Sequence, residues 1–257
     1  MSYFVIGLLL FILFIFSMLL FLHLGNMISI WQTNKFPEER LTTNKIIEGA
    51  IFALMGLLIA FTFAGASERF DIRRTLIIEE ANAIETAYLR LDLLPVAARL
   101  NLQDNFRKYL NLRSSIYKKL PNINDALPEL RQSQQLQRQI WDLSVQTCKS
   151  ETISSACIVL LPAINKLINV ANTRDEITKI HPPAVIIGTL ICLALISAAL
   201  SGYSMKKKSI WHSLHILAYA ATISFTIFII IDLEYPRLDF IQIDYFNNIL
   251  TNVGKKM

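Results

Sequence analysis

Apolar residues along the chain gather into four long runs separated by polar segments of very unequal length. Residues 3–24, 46–66, 184–204 and 210–231 each supply the roughly 20 predominantly apolar positions that a helix needs to cross a bilayer. The first run is too long for a secretory signal. No basic residue precedes it and no convincing small-x-small cleavage site follows, so the pattern predicts a retained helix. Between the second and third runs lie about 114 residues, 67–180, rich in Leu, Arg, Gln, Asn and Glu. Glycine is scarce there and strict alternation is absent, which predicts helices. The expected fold is therefore an all-α integral membrane protein with four transmembrane helices in a two plus two arrangement. Its first hairpin is 1–66, its inserted helical domain 67–180, its second hairpin 181–231, and its juxtamembrane tail 232–257.

Within the inserted segment, Leu102, Phe106, Tyr109, Arg113, Ile116 and Leu120 recur at helical spacing, with most basic residues elsewhere on the surface. The string PNINDALP, 121–128, reads as a break. The next helix packs through Leu136, Ile140, Leu143 and Trp141. A further break near Ser150 leads to a short apolar helix expected to end at Pro162. HPP at 181–183 opens the third span, since proline is tolerated in a helix's first turn.

The second span is the most informative element. Nothing between Ile46 and Leu94 forbids a continuous helix, and at 1.5 Å per residue the part beyond Ala66 would project roughly 40 Å out of the bilayer. In lipid, Gly49, Ala53, Gly56, Ala60 and Ala64 line one face. Such small residues let another helix approach closely, within one subunit or between subunits. Beyond the lipid, Phe70, Ile77, Ala81, Ile84, Tyr88 and Leu91 form an apolar stripe, and Glu68, Thr75, Glu79, Asn82, Thr86 and Arg90 form a polar one.

A solvated helix usually carries opposite charges three or four residues apart. Glu79, Glu80 and Glu85 have no basic residue at that spacing, and Arg69 and Arg73 repel each other. Two readings follow. In one, Arg69, Arg73 and Arg74 bind headgroup phosphates while the glutamates pair with neighbouring helices, for example with Arg107 or Arg113. In the other, several copies surround an axis, and the stripe becomes rings that bias ion passage. A ring of Glu79 or Glu80 would favour cations; a ring of the membrane-edge arginines would favour anions.

Composition supports the membrane reading, with 53% hydrophobic and only 18% charged residues. The net charge of +5 is dispersed, which argues against nucleic acid and for lipid headgroups. Lysines and arginines are split almost evenly between the two sides. The concentrated loop of Lys206, Lys207 and Lys208 tips the count toward an outward-facing domain. Cys148 and Cys157 would bridge only in an oxidising compartment, while Cys192 sits within a span. His212 and His215 share a helix face but lack further ligands. His181 reads as a turn residue, and Asn165, Asn169 and Asn172 as a polar helix edge. No phosphate loop, HExxH, GxSxG or Cys–His pair is present, so no enzymatic activity, metal or cofactor is expected.

The string GLLIAFTFAGASERFDIRRTLIIEEANAIETAYLRLDLLP, the HPP entrance, GYS before the basic loop, and DLEYPR resemble a bacterial bestrophin-like family of membrane proteins. The resemblance covers most of the chain and implies a multi-pass protein of the bacterial inner membrane. Bestrophins are pentameric anion channels whose second helix lines the pore and whose helical domain is cytosolic. The acids at 232, 234, 239 and 244 are too scattered here for the dense calcium clasp that bestrophins carry. The expected function is a homo-oligomeric ion channel with Glu68, Thr75, Glu79, Glu80, Asn82 and Thr86 on the path and inorganic ions as its cargo. The competing class is a non-conducting membrane-anchored scaffold or sensor whose domain docks a partner.

Overall fold

The computed structural model of the chain describes residues 3–35, 45–119, 123–149, 154–205, 210–235 and 244–257. Among the described residues every regular element is helical: α1 (Tyr3–Lys35), α2 (Lys45–Arg90), a 3-10 turn (Leu91–Leu93), α3 (Val96–Lys119), α4 (Ile123–Cys148), α5 (Ser154–Ile177), α6 (Ala184–Tyr203), α7 (Ile210–Glu234) and α8 (Asp244–Lys256). Five of these, α1, α2, α5, α6 and α7, are long and apolar enough to cross a membrane. α1 runs past Leu24, where the first apolar run ends, to Lys35. The basic loop 206–208 and the acid at 239 lie outside the described residues.

Two compact units divide the chain, one made of 1–70 with 181–241 and the other of 71–180 with 242–257. The first unit is built on α1, the start of α2, α6 and α7, around Met18, Leu22, Met55, Leu190, Ala194, Ala198, Ile227 and Ile230. α1 and α6 meet backbone to backbone. A Cβ added to Gly25 would stand 1.9 Å from the Ala199 carbonyl oxygen, and one added to Gly202 would stand 1.9 Å from that of Leu22. Close approach of this kind is how helices associate in lipid, where burial of apolar surface gives no net drive. Polar clamps finish the contacts: Tyr203 donates to Gln32 Oε1 at 2.7 Å, and Ser204 donates to Glu48 Oε1 at 2.5 Å.

The second unit is a helical domain. The 3.6-residue period of α3 buries Leu102, Phe106, Tyr109, Arg113 and Ile116, against Ala81, Ile84 and Ala87 of α2, Leu136 and Ile140 of α4, and Leu160, Ile164 and Leu167 of α5. α5 does not end at Pro162. The ring removes one backbone hydrogen bond, a cost of about 3 kcal/mol in a helix interior. Leu160, Ala163, Ile164 and Leu167 are buried on both sides of it and carry the helix through. α4 likewise accommodates Pro128, so most of the expected break at 121–128 is helix. α8 joins this unit through buried Leu250 and Val253. Arg107 Nη2 donates to the Met257 oxygen at 2.7 Å, and Lys256 pairs with Glu85 at 3.0 Å. A disulfide joins Cys148, the last residue of α4, to Cys157 in the first turn of α5.

Candidate ion pathway

The two faces of α2 have opposite fates. Arg73, Ile77, Glu80, Ala81, Ile84 and Ala87 are buried. On the other side Gly49, Ala53, Gly56, Ala60 and Ala64 are exposed, and the exposed line continues without a break through Glu68, Asp71, Thr75, Glu79, Asn82 and Thr86. All successive members are three or four residues apart, so they share one gently winding face. Among the described residues nothing lies within 4 Å of where a Cβ would stand on Gly49 or Gly56. Among the described residues Gly49 and Gly56 thus serve no close helix contact, whereas Gly25 and Gly202 do.

The buried face explains one of the three partnerless glutamates. Glu80 is completely buried, and two arginines from two other helices hold it. Arg113 donates from Nε to Oε1 at 2.5 Å and from Nη2 to Oε2 at 3.1 Å; Arg174 Nη1 donates to Oε2 at 2.5 Å. The remaining side of the Arg113 fork grips Asp175, at 2.9 and 3.2 Å. A guanidinium suits this role because its donors are fixed in one plane and address two carboxylates at once. Burial alone pushes the Glu80 carboxyl up, but Arg113 and Arg174 together outweigh it and hold the group below the usual carboxylate range. For Asp175 burial wins over Arg113, and its carboxyl is raised. The sequence pattern puts Glu80 on the path; the structure places it in the domain core. Glu85 pairs with Lys256. Among the described residues Glu68 and Glu79 make no ion pair or hydrogen bond, and both are exposed.

None of the three membrane-edge arginines is a member of that exposed line, and among the described residues only Arg74 pairs with one. Arg69 Nε donates to Glu234 Oε2 at 2.7 Å, and the same carboxylate, 1% exposed, meets His181 Nδ1 at 3.0 Å. The His181 ring stacks on Tyr235 with centroids 4.5 Å apart. In the second unit, buried Arg73 donates from Nη2 to the Ile180 carbonyl at 3.0 Å, and Arg74 pairs with Asp71 at 3.4 Å. No lysine or arginine occupies the exposed line itself, whose unpaired charges are two carboxylates.

Sequence reasoning misses the Glu234 cluster, although HPP and DLEYPR both stand out as strings; nothing local to either says that they meet. Asn165, Asn169 and Asn172 are exposed on α5. His215 is exposed on α7, and the His212 side chain lies outside the described residues. Among the described residues no group of three potential ligands could hold a metal.

A comparison with curated proteins finds no match. Among solved structures, a point variant of a bacterial bestrophin homologue from Klebsiella pneumoniae superposes with a TM-score of 0.68 at 14% identity, covering 94% of this chain and 98% of that one. The same homologue phased on zinc gives a TM-score of 0.67, again at 14% identity and over 94% and 98% of the two chains. A variant described as a membrane protein gives 0.65 at 15% identity over 95% and 97%. At these identities the likeness shows the fold. The Bestrophin-like domain model matches residues 15–245, nearly the whole chain, and the protein belongs to the Bestrophin-like family.

Proposed function

We propose that the protein is an oligomeric ion channel of the bacterial cytoplasmic membrane, with the exposed face of α2 lining the conduction path. Four helices span: α1, the start of α2, α6 and α7. Residues 67–180 form an inserted helical domain, and 232–257 follow the last span. α5 is apolar enough to be a fifth span, but Leu160, Ile164 and Leu167 spend its apolar face in the domain core, and Arg174 and Asp175 sit near its end. Copies of the chain approach through Gly49, Ala53, Gly56, Ala60 and Ala64 and present Glu68, Thr75, Glu79, Asn82 and Thr86 to a common axis. Five copies is the number the family resemblance implies.

The observation that carries this reading is the single exposed line on α2. A lone helix gains nothing from bare glycines facing lipid or from partnerless carboxylates stacked above them. An assembly gains close packing from the first and ion-attracting rings from the second. Arg69 and Arg73 are engaged off the line and Arg74 neutralises Asp71 on it, which leaves Glu68 and Glu79 as its net charge, so the path favours cations, against the anion preference that the resemblance implies.

The test is oligomeric state in detergent followed by cysteine scanning of α2 in a Cys192→Ser background. Thr75→Cys, Asn82→Cys and Thr86→Cys channels should be blocked by a charged thiosulfonate, and Ile78→Cys and Leu89→Cys channels much less. A monomer, or block without helical period, would contradict the proposal.

A further inference from the structure

The chain has three cysteines, and the structure sorts them by place. Both cysteines of the helical domain, Cys148 and Cys157, are joined to each other. The free one, Cys192, lies in the apolar helix α6. The domain therefore carries no free thiol. The packing of α4 and α5 brings the pair together: Leu136 and Ile140 anchor α4 in the domain core, and Leu160 and Ile164 anchor α5 directly after Cys157. Arg90 at the end of α2 donates to the Val159 carbonyl, which fixes the same turn of α5 from a third side. Cys157 is largely buried, so the bridge is part of the domain's packing.

We propose that the helical domain faces the oxidising, extracytoplasmic compartment, the side opposite to that implied by resemblance to bestrophins. Disulfides persist where thiols are not continually reduced, and mesophilic cytosols keep such pairs open. An independent feature agrees. Lys206, Lys207 and Lys208 stand in the short stretch of sequence between α6 and α7, and on the four-span reading proposed above that stretch and the segment inserted between α2 and α6 are separated by a single span. Orientation is set by lysines and arginines in short loops, which stay in the cytoplasm, whereas long segments translocate largely regardless of charge.

Bridge formation is a two-electron exchange with a disulfide-bearing oxidase of the cell envelope. One cysteine thiolate attacks the oxidase disulfide to give a mixed disulfide, and the second thiolate displaces it. Two protons leave the chain, one S–S bond forms in it, and one S–S bond in the oxidase is reduced to two thiols. The inference does not depend on conduction.

The full chain is expressed in its membrane, acid-trapped, denatured and treated with a polyethylene-glycol maleimide. One adduct, at Cys192, is expected before reduction and three after it. Asn172 is exposed on α5. In an Asn172→Cys, Cys192→Ser chain, the introduced thiol should react with a membrane-impermeant maleimide on spheroplasts. Three adducts without reductant in the first experiment, or an introduced thiol reached only after lysis in the second, would overturn the proposal.

Discussion

Glu79 and Glu80 are adjacent on α2 and point about 100° apart around its axis, so that one is exposed without a partner while the other is fully buried between Arg113 and Arg174. The same side chain, one position along a helix, has become a surface charge in one case and the centre of the domain's ion network in the other.

Replacing Glu80 with Gln should therefore damage the fold. It leaves two guanidiniums facing a neutral group, and breaking a buried pair costs on the order of 3–5 kcal/mol. Thermal unfolding of the purified protein should show a large loss for Glu80→Gln and almost none for Glu79→Gln. Equal losses would mean that Glu79 is held as firmly as Glu80.

The pH dependence of that stability follows from the two carboxyl shifts. Glu80 is lowered, so its contribution is complete above its unfolded value of about 4.3 and is lost as pH falls through the folded value. Asp175 is raised, so its contribution is present below its unfolded value of about 3.9 and is lost as pH rises through the folded value. The stability difference between wild type and Glu80→Gln should grow as pH rises toward about 4.3 and stay level above it, whereas that between wild type and Asp175→Asn should shrink as pH rises above about 3.9. Melting curves on both sides of these values check both signs.

The period of α3 is legible in the sequence: Leu102, Phe106, Tyr109, Arg113 and Ile116 are buried as their spacing predicts, and Leu120, the last of the run, lies outside the described residues. Its arginine can be placed on the buried face but not matched to Glu80, because the pairing spans 33 residues and a separate helix. Pro162 misleads for the opposite reason. Its local signal is clear, but the surrounding core contacts override it. The exposed polar line of α2 is readable because one helix carries all of it. The Glu234 cluster is not, because Arg69, His181 and Glu234 belong to three distant segments.

Small residues separate two kinds of helix contact. Gly25→Leu or Gly202→Leu should prevent the α1–α6 approach and lower the yield of folded protein, since a Cβ at either site already collides with backbone. Gly49→Leu and Gly56→Leu meet open space among the described residues, so these variants should fold yet fail to assemble. Light scattering in detergent distinguishes a folded monomer from an aggregate.

Glu234→Gln should weaken the hold on both Arg69 and His181, since one carboxylate serves both. Under the channel reading this frees Arg69 near the exposed line and reduces cation preference, while Glu234→Asp retains part of it. Ion-flux assays on the two variants, with their melting curves as a control for folding, read the effect.

The central claim is that the exposed carboxylates of α2 line a cation path, and reversal potential in reconstituted bilayers under a potassium chloride gradient tests it most directly. The wild type should reverse toward the potassium equilibrium potential, and the Glu68→Gln, Glu79→Gln double variant should move toward zero or toward chloride while remaining oligomeric. A conducting wild type whose reversal potential is unchanged by the double substitution would contradict the account.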